Sequence, residues 1–190
     1  MAESRACGCS VALPVEASVE VSVAELNAMS DADARSLLAD CCGASRWVSG
    51  MLSRRPFQSR SAVLSTADEI WKSLDADEWR EAFSHHPRIG ERKSAVPLSD
   101  RGSAWAAGEQ SAVGRAEDDV RADLVAANRD YEQRFGYTYI VFATGKSAEE
   151  MLALARERLK NNPDTELRAA AEEQRKITRL RLDKLLDKGR

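Results

Sequence analysis

The chain is short of several things. It has two histidines, four cysteines and five prolines in 190 residues. No apolar run approaches the ~20 residues of a membrane span, so no membrane partner is expected. The formal charge is −3, with acids and bases intermixed. That excludes the concentrated positive face on which phosphate binding depends, and with it nucleic acid as the main partner. The start, MAESRACGCSVALP, has no apolar core of the secretory type, and the final DKGR is no peroxisomal address of the SKL type. A cytoplasmic setting is therefore expected. Cys7 and Cys9 lie in this start, and Cys41 and Cys42 are adjacent. Neither pair has the spacing of a zinc site or a disulfide framework, so reduced thiols and no metal site are expected.

What is present is helical patterning over a length sufficient for one domain with a real core. Residues 1–20 are rich in Ala, Ser and Val without helical period and read as a flexible leader. Residues 21–188 read as one helical domain. Leu26 and Met29 suit a short first turn. Ser30 reads as an N-cap with Asp33 three residues on, as in a capping box, and Ala34, Leu37 and Leu38 lie on the inner face of the helix it starts. Trp47, Met51 and Leu52 mark a helix ended by Pro56; Ser61 to Leu74 and Asp75 to Phe83 follow. Ser94 to Gly108, rich in Ser, Gly and Ala, reads as a loop. Glu109 to Arg134 reads as one long helix with Val113, Val120, Leu124, Ala127 and Tyr131 inward.

Gly136 breaks that pattern. YTYIVF, Tyr137 to Phe142, is the one strand-like run. Ser147 caps a helix to about Lys160, and Asn162 with Pro163 starts the last one, to about Leu186. The expected class is all-α: a single helical bundle domain with one short extended segment.

Both histidines sit in SHHPRIGER, Ser84 to Arg92. Pro87 biases His86 out of helical geometry, and Gly90 permits a turn that a larger residue would resist. An imidazole is thus left on a fixed corner, where it is either an acid–base group or an ordinary half-exposed helix exit.

The ordered landmarks form a pattern. They are LLADCCGASRWV from Leu37, AFSHHPRIGE, Trp105 followed by GEQS at Gly108 to Ser111, FGYTYIVFATGKS from Phe135, and ITRLRLDKLL near the end. Over roughly Ser22 to Leu186 the chain resembles the OHCU decarboxylase family of the urate-to-allantoin pathway. The resemblance implies an all-α fold, no cofactor, a homodimer, and conversion of OHCU (2-oxo-4-hydroxy-4-carboxy-5-ureidoimidazoline) to (S)-allantoin and CO2.

The family's catalytic histidine matches His86, and its paired glutamate matches Glu109; His85 matches no functional position. Pro87 and Gln110 match substrate-contact positions. Tyr139, Ile140, Val141, Phe142 and Ala143 match a segment that offers main-chain contacts, and Arg181 matches the substrate-binding arginine. Ala106 stands where the family often has serine. Glu109 lies four residues before Val113, so the expectation is that it shares the buried face of the helix there. Without the resemblance it reads as a favourable helix-start charge.

Arg181 lies roughly 40° from Ile177 around the last helix, and Arg179 roughly 200° from it. Arg181 thus projects from an apolar face, and a buried guanidinium needs an anion, either a structural carboxylate or the substrate. Two other functions fit the same residues: a catalytically silent ureide-binding module, favoured only by Ala106, and a ureide hydrolase using the same His and Glu.

Overall fold

The computed structural model of the chain describes residues 20–90, 98–114 and 116–187. The expected leader lies almost wholly outside them. The described residues form α1 (Val23–Ala28), α2 (Asp31–Cys41), α3 (Ser45–Ser53), α4 (Arg60–Ser73), α5 (Ala76–Ser84), α6 (Asp100–Glu109), α7 (Ser111–Gly114), α8 (Asp118–Phe135), α9 (Ala148–Arg158) and α10 (Pro163–Leu185). The fold is all-α.

Local chemistry sets most starts. Ser22 with Glu25, Asp75 with Glu78, and Ser147 with Glu150 form reciprocal capping boxes. Ser30, Ser59, Ser99 and Asn162 each accept one first-turn amide. The Ser30 cap is not reciprocal: its hydroxyl accepts from the Asp33 amide at 3.2 Å and donates to the Asp33 carboxylate at 2.7 Å.

The last helix organises the core. Leu167, Ala170, Ala171, Ile177, Leu182 and Leu185 are buried along α10, which packs on α2, α4 and α5. Indole donors lock neighbouring helices by bonding to main-chain carbonyls: Trp71 Nε1 donates to Ala171 O at 3.0 Å, and Trp47 Nε1 to Ala67 O at 3.1 Å. Truncating fully buried Trp47 to alanine should cost about 3–5 kcal/mol.

Two elements differ from the reading of the sequence. The Ser/Gly/Ala-rich stretch contains α6 over Asp100–Glu109; of the expected loop only residues 98 and 99 are described and non-helical, and Ser94 to Pro97 lie outside the described residues. Ser99 caps that helix, and Gly102, Trp105 and Ala106 are its buried side. Glu109 to Arg134 is not one helix. It is the end of α6, the single turn of α7, and α8. Gly114 is a poor helix residue at the break. Across the gap the Arg121 guanidinium donates to Ala116 O at 2.9 Å and Val113 O at 3.5 Å, carbonyls that a continuous helix would have used.

Residues 137–143 are neither helix nor paired strand among the described residues. The segment is bracketed by Gly136, the left-handed cap of α8 (φ +80°), and by a turn closed by Lys146 N on Ala143 O at 3.0 Å with Gly145 at φ +82°. A side chain is strained at either glycine, so both ends of the segment are fixed by backbone geometry.

Candidate active site

A small cavity, open at its mouth, lies between the α5 exit, the end of α6, the 139–143 segment and α10. His86, Pro87, Glu109 and Gln110 line it, with Tyr139, Ile140, Val141 and Ala143 from the segment. Three of the expected site residues do not. Ala106 is buried one turn before Glu109, Phe142 is the one residue of the 139–143 segment that does not line the cavity, and Arg181 stands behind Glu109. Ile89 and Ile177 line the cavity without having been singled out for it. Ile177 was legible, since it is the α10 residue four before Arg181.

His86 sits just past α5, its amide bonded to Phe83 O at 3.1 Å. The chain leaves through Pro87 and is pinned to α8 twice. Arg88 holds both carboxylate oxygens of Glu132 at 2.7 and 2.9 Å, and buried Asn128 donates to Ile89 O at 2.6 Å. Gly90 (φ +87°) completes the turn close to the Val125 side chain. His85 is exposed but packs against Gly43, where an added Cβ would come within 2.3 Å of its ring.

Burial pushes the His86 imidazole down from 6.5 to about 3, and the Arg181 charge adds to that; the Gln174 side chain pulls the other way. Gln174 is fully buried; its Nε2 donates to Thr178 Oγ1 at 3.2 Å, while its Oε1 makes no well-formed hydrogen bond among the described residues. His86 is therefore held neutral at neutral pH by its protein surroundings.

Glu109 is the last residue of α6, not an early residue of the helix that follows. The expected helix-start charge is thus a helix-end charge, where the dipole disfavours an anion. Arg181 offsets this. Its Nε donates to Oε1 at 3.0 Å and its Nη2 to Oε2 at 2.8 Å, with both side chains nearly buried. The third nitrogen, Nη1, donates to Asp40 O at 3.2 Å. The Asp40 carboxylate in turn holds the start of α6, through Ser99 Oγ at 2.6 Å and Arg101 Nη1 at 2.7 Å. One residue of α2 thereby ties down the start of α6 and the arginine that grips its end. The buried anion demanded by Arg181 is Glu109, so Arg181 meets the cavity through that carboxylate.

Tyr139 commits its hydroxyl to Met151 O at 3.3 Å, and burial raises its pKa, so it is no proton donor to the cavity. Cys41 and Cys42 are buried free thiols whose pKa values burial pushes up, which leaves them inert. Among the described residues no group of three or more His, Cys, Asp or Glu side chains is placed to hold a metal ion. No helix among them is long and apolar enough to cross a membrane.

Comparison with known proteins places the chain as a whole. The model of the family described as OHCU decarboxylase matches residues 27–183. The "Uric acid degradation bifunctional protein TTL" of Arabidopsis thaliana is 34% identical over 145 residues, covering 76% of this chain and 45% of that protein. The chain thus spans less than half of that bifunctional relative. The "2-oxo-4-hydroxy-4-carboxy-5-ureidoimidazoline decarboxylase" of Amia calva is 30% identical over 137 residues, 70% of this chain and 76% of that one. A crystal structure of OHCU decarboxylase in the presence of (S)-allantoin superposes with a TM-score of 0.69 at 32% identity, covering 80% of this chain and 98% of that one. By sequence and by fold, this chain belongs to the OHCU decarboxylase family.

Proposed function

We propose that the chain decarboxylates OHCU to (S)-allantoin and CO2. The observation that carries the reading is a single cavity in which a neutral imidazole and an ion-paired carboxylate face a main-chain segment of fixed geometry. The substrate's carboxylate lies on a carbon next to a ring C=N bond. When the C–C bond to CO2 breaks, its electron pair moves into that bond. The protein needs only to orient the carboxylate, stabilise the developing charge and deliver one proton to one face.

In this reading the tasks fall to His86, Glu109 and Arg181. An anionic substrate brought against His86 counters burial and the Arg181 charge, and raises the proton affinity of the ring. The protonated imidazole then gives its proton to the carbon of the former C=N bond once CO2 has left, while the hydroxyl on the neighbouring carbon becomes the product's carbonyl by passing its proton, through Glu109, to the ring nitrogen that took up the electron pair; solvent restores the imidazole proton afterwards. Glu109 has both oxygens held by Arg181, which fixes its direction while leaving lone pairs for the substrate hydroxyl. Arg181 acts here as a positioning residue rather than a direct substrate ligand. The likeness to the family further supports a homodimer as the working form, which sedimentation of the pure protein tests.

Adding freshly made OHCU and following CO2 release and allantoin chirality tests the reaction. The expected result is faster CO2 release and an excess of the S enantiomer. Tight binding without turnover would favour a silent ureide-binding module, and ring opening without CO2 would favour a hydrolase.

A further inference from the structure

The 139–143 segment is held along one edge by charged side chains that are not part of the cavity. Arg158 Nη1 donates to Ile140 O at 2.6 Å. Phe142 N donates to Glu173 Oε2 at 2.7 Å, and Lys146 Nζ donates to Phe142 O at 2.7 Å. None of Arg158, Glu173 and Lys146 lines the cavity.

A trans peptide unit is planar, with its C=O and N–H pointing in opposite directions. If Ile140 O points at Arg158, the amide of Val141 points away from it. If Phe142 O points at Lys146, the amide of Ala143 points the other way. If Phe142 N–H points at Glu173, Val141 O is turned from it. Val141 and Ala143 line the cavity, whereas Phe142 does not. No hydrogen bond occupies the amides of Val141 and Ala143 among the described residues.

The anchors are themselves held. Arg158 donates Nε to Glu166 at 2.7 Å; Glu166 is fully buried and also takes Asn161 Nδ2 at 2.7 Å and the Tyr131 hydroxyl. The Arg158 guanidinium lies over the Tyr139 ring at 5.0 Å. Glu173 is steadied by Lys176 at 2.6 Å.

We infer that Arg158 and Glu173 are positioning residues for the ligand: by holding one edge of the 140–142 backbone from outside, they aim the amides of Val141 and Ala143 at ureide oxygens in the cavity. The inference rests on the decarboxylase reading. It concerns how the segment is aimed and leaves the chemical step to His86 and Glu109. Hydrogen bonds made equally in ground and transition states affect KM and leave kcat alone.

The test compares Glu173→Ala with Glu173→Gln. Loss of this one anchor should raise the KM for OHCU about fivefold with kcat within about twofold. Glu173→Gln keeps an oxygen for the Phe142 amide and should restore KM to within about twofold of the unaltered protein. In the unaltered protein the amide resonances of Val141 and Ala143 should shift on adding (S)-allantoin, and in Glu173→Ala those shifts should shrink. If Glu173→Ala loses its helix content, Lys146→Ala frees only the Phe142 carbonyl and carries the same KM expectation. An unchanged KM in the folded variant, or a Glu173→Gln as impaired as the alanine, overturns the inference while the decarboxylase reading stands. An unaltered protein that neither turns over OHCU nor binds (S)-allantoin overturns both.

Discussion

Arg181 on α10 and Glu109 at the end of α6 form a two-pronged ion pair, 3.0 Å from Nε to Oε1 and 2.8 Å from Nη2 to Oε2. The pair joins residues 72 positions apart. It places a carboxylate at a helix C-terminus, where the helix itself opposes it, and points that carboxylate into the cavity. The fork geometry of arginine is what makes both contacts and the bond to Asp40 O compatible.

Arg181→Lys keeps the charge and loses the fork. We expect kcat/KM for OHCU to fall at least tenfold, about 1.4 kcal/mol. If Arg181 acts through Glu109, the double variant with Glu109→Gln should be no worse than Glu109→Gln alone. Fully additive losses in that cycle would return Arg181 to direct substrate contact.

The two histidines should separate cleanly. His86 lines the cavity, whereas His85 is exposed and rests on Gly43. His86→Asn should lower kcat by about a hundredfold or more, the usual scale of a general acid. His85→Asn should stay within about threefold on the same scale. Comparable losses would mean that the packing of this corner matters and the proton chemistry lies elsewhere.

Activity should survive exhaustive chelation. The described residues offer no ligand cluster, and the proposed electron sink is the substrate's own C=N bond. Loss of turnover on dialysis against a chelator, restored by zinc or manganese, would show that the site has been misread.

Much of the fold was legible because its signals are local. Asp75, Ser147 and Asn162 announce their helices by caps, and the α10 stripe announces its buried face. The α6 helix was hidden because its Ser and Gly residues, after Pro97, carry loop statistics that outweighed the helix-favouring alanines; its stability comes from tertiary contacts, Trp105 and Ala106 buried and Asp40 bonded to Ser99 and Arg101. The same misreading moved Glu109 to the wrong helix. The sequence shows that Arg181 needs an anion, but only chain folding shows that the anion is Glu109. Gln174 beside His86 was equally hidden, although it shares a face of α10 with Ile177 and Arg181 at spacings of three and seven.

The last prediction concerns acid. In the unfolded chain His86 has the ordinary pKa of about 6.5; in the fold, burial and then Arg181 push it down to about 3. Between those values the unfolded chain binds a proton that the folded chain refuses. Stability therefore rises with pH across the window, because the unfolded state holds more protons. The contribution is fully present above pH 6.5 and is lost as pH falls toward 3. Removing the imidazole removes the linkage, so His86→Asn should be less stable than the unaltered protein at pH 7.5 or equal to it, yet should lose stability more slowly on acidification. Urea midpoints from pH 7.5 down to 4 measure the difference. Parallel curves for His86→Asn and the unaltered protein would mean that His86 takes up its proton in the fold as readily as in the open chain. The imidazole would then carry its charge before substrate arrives, and the proposed protonation on binding would have to be abandoned.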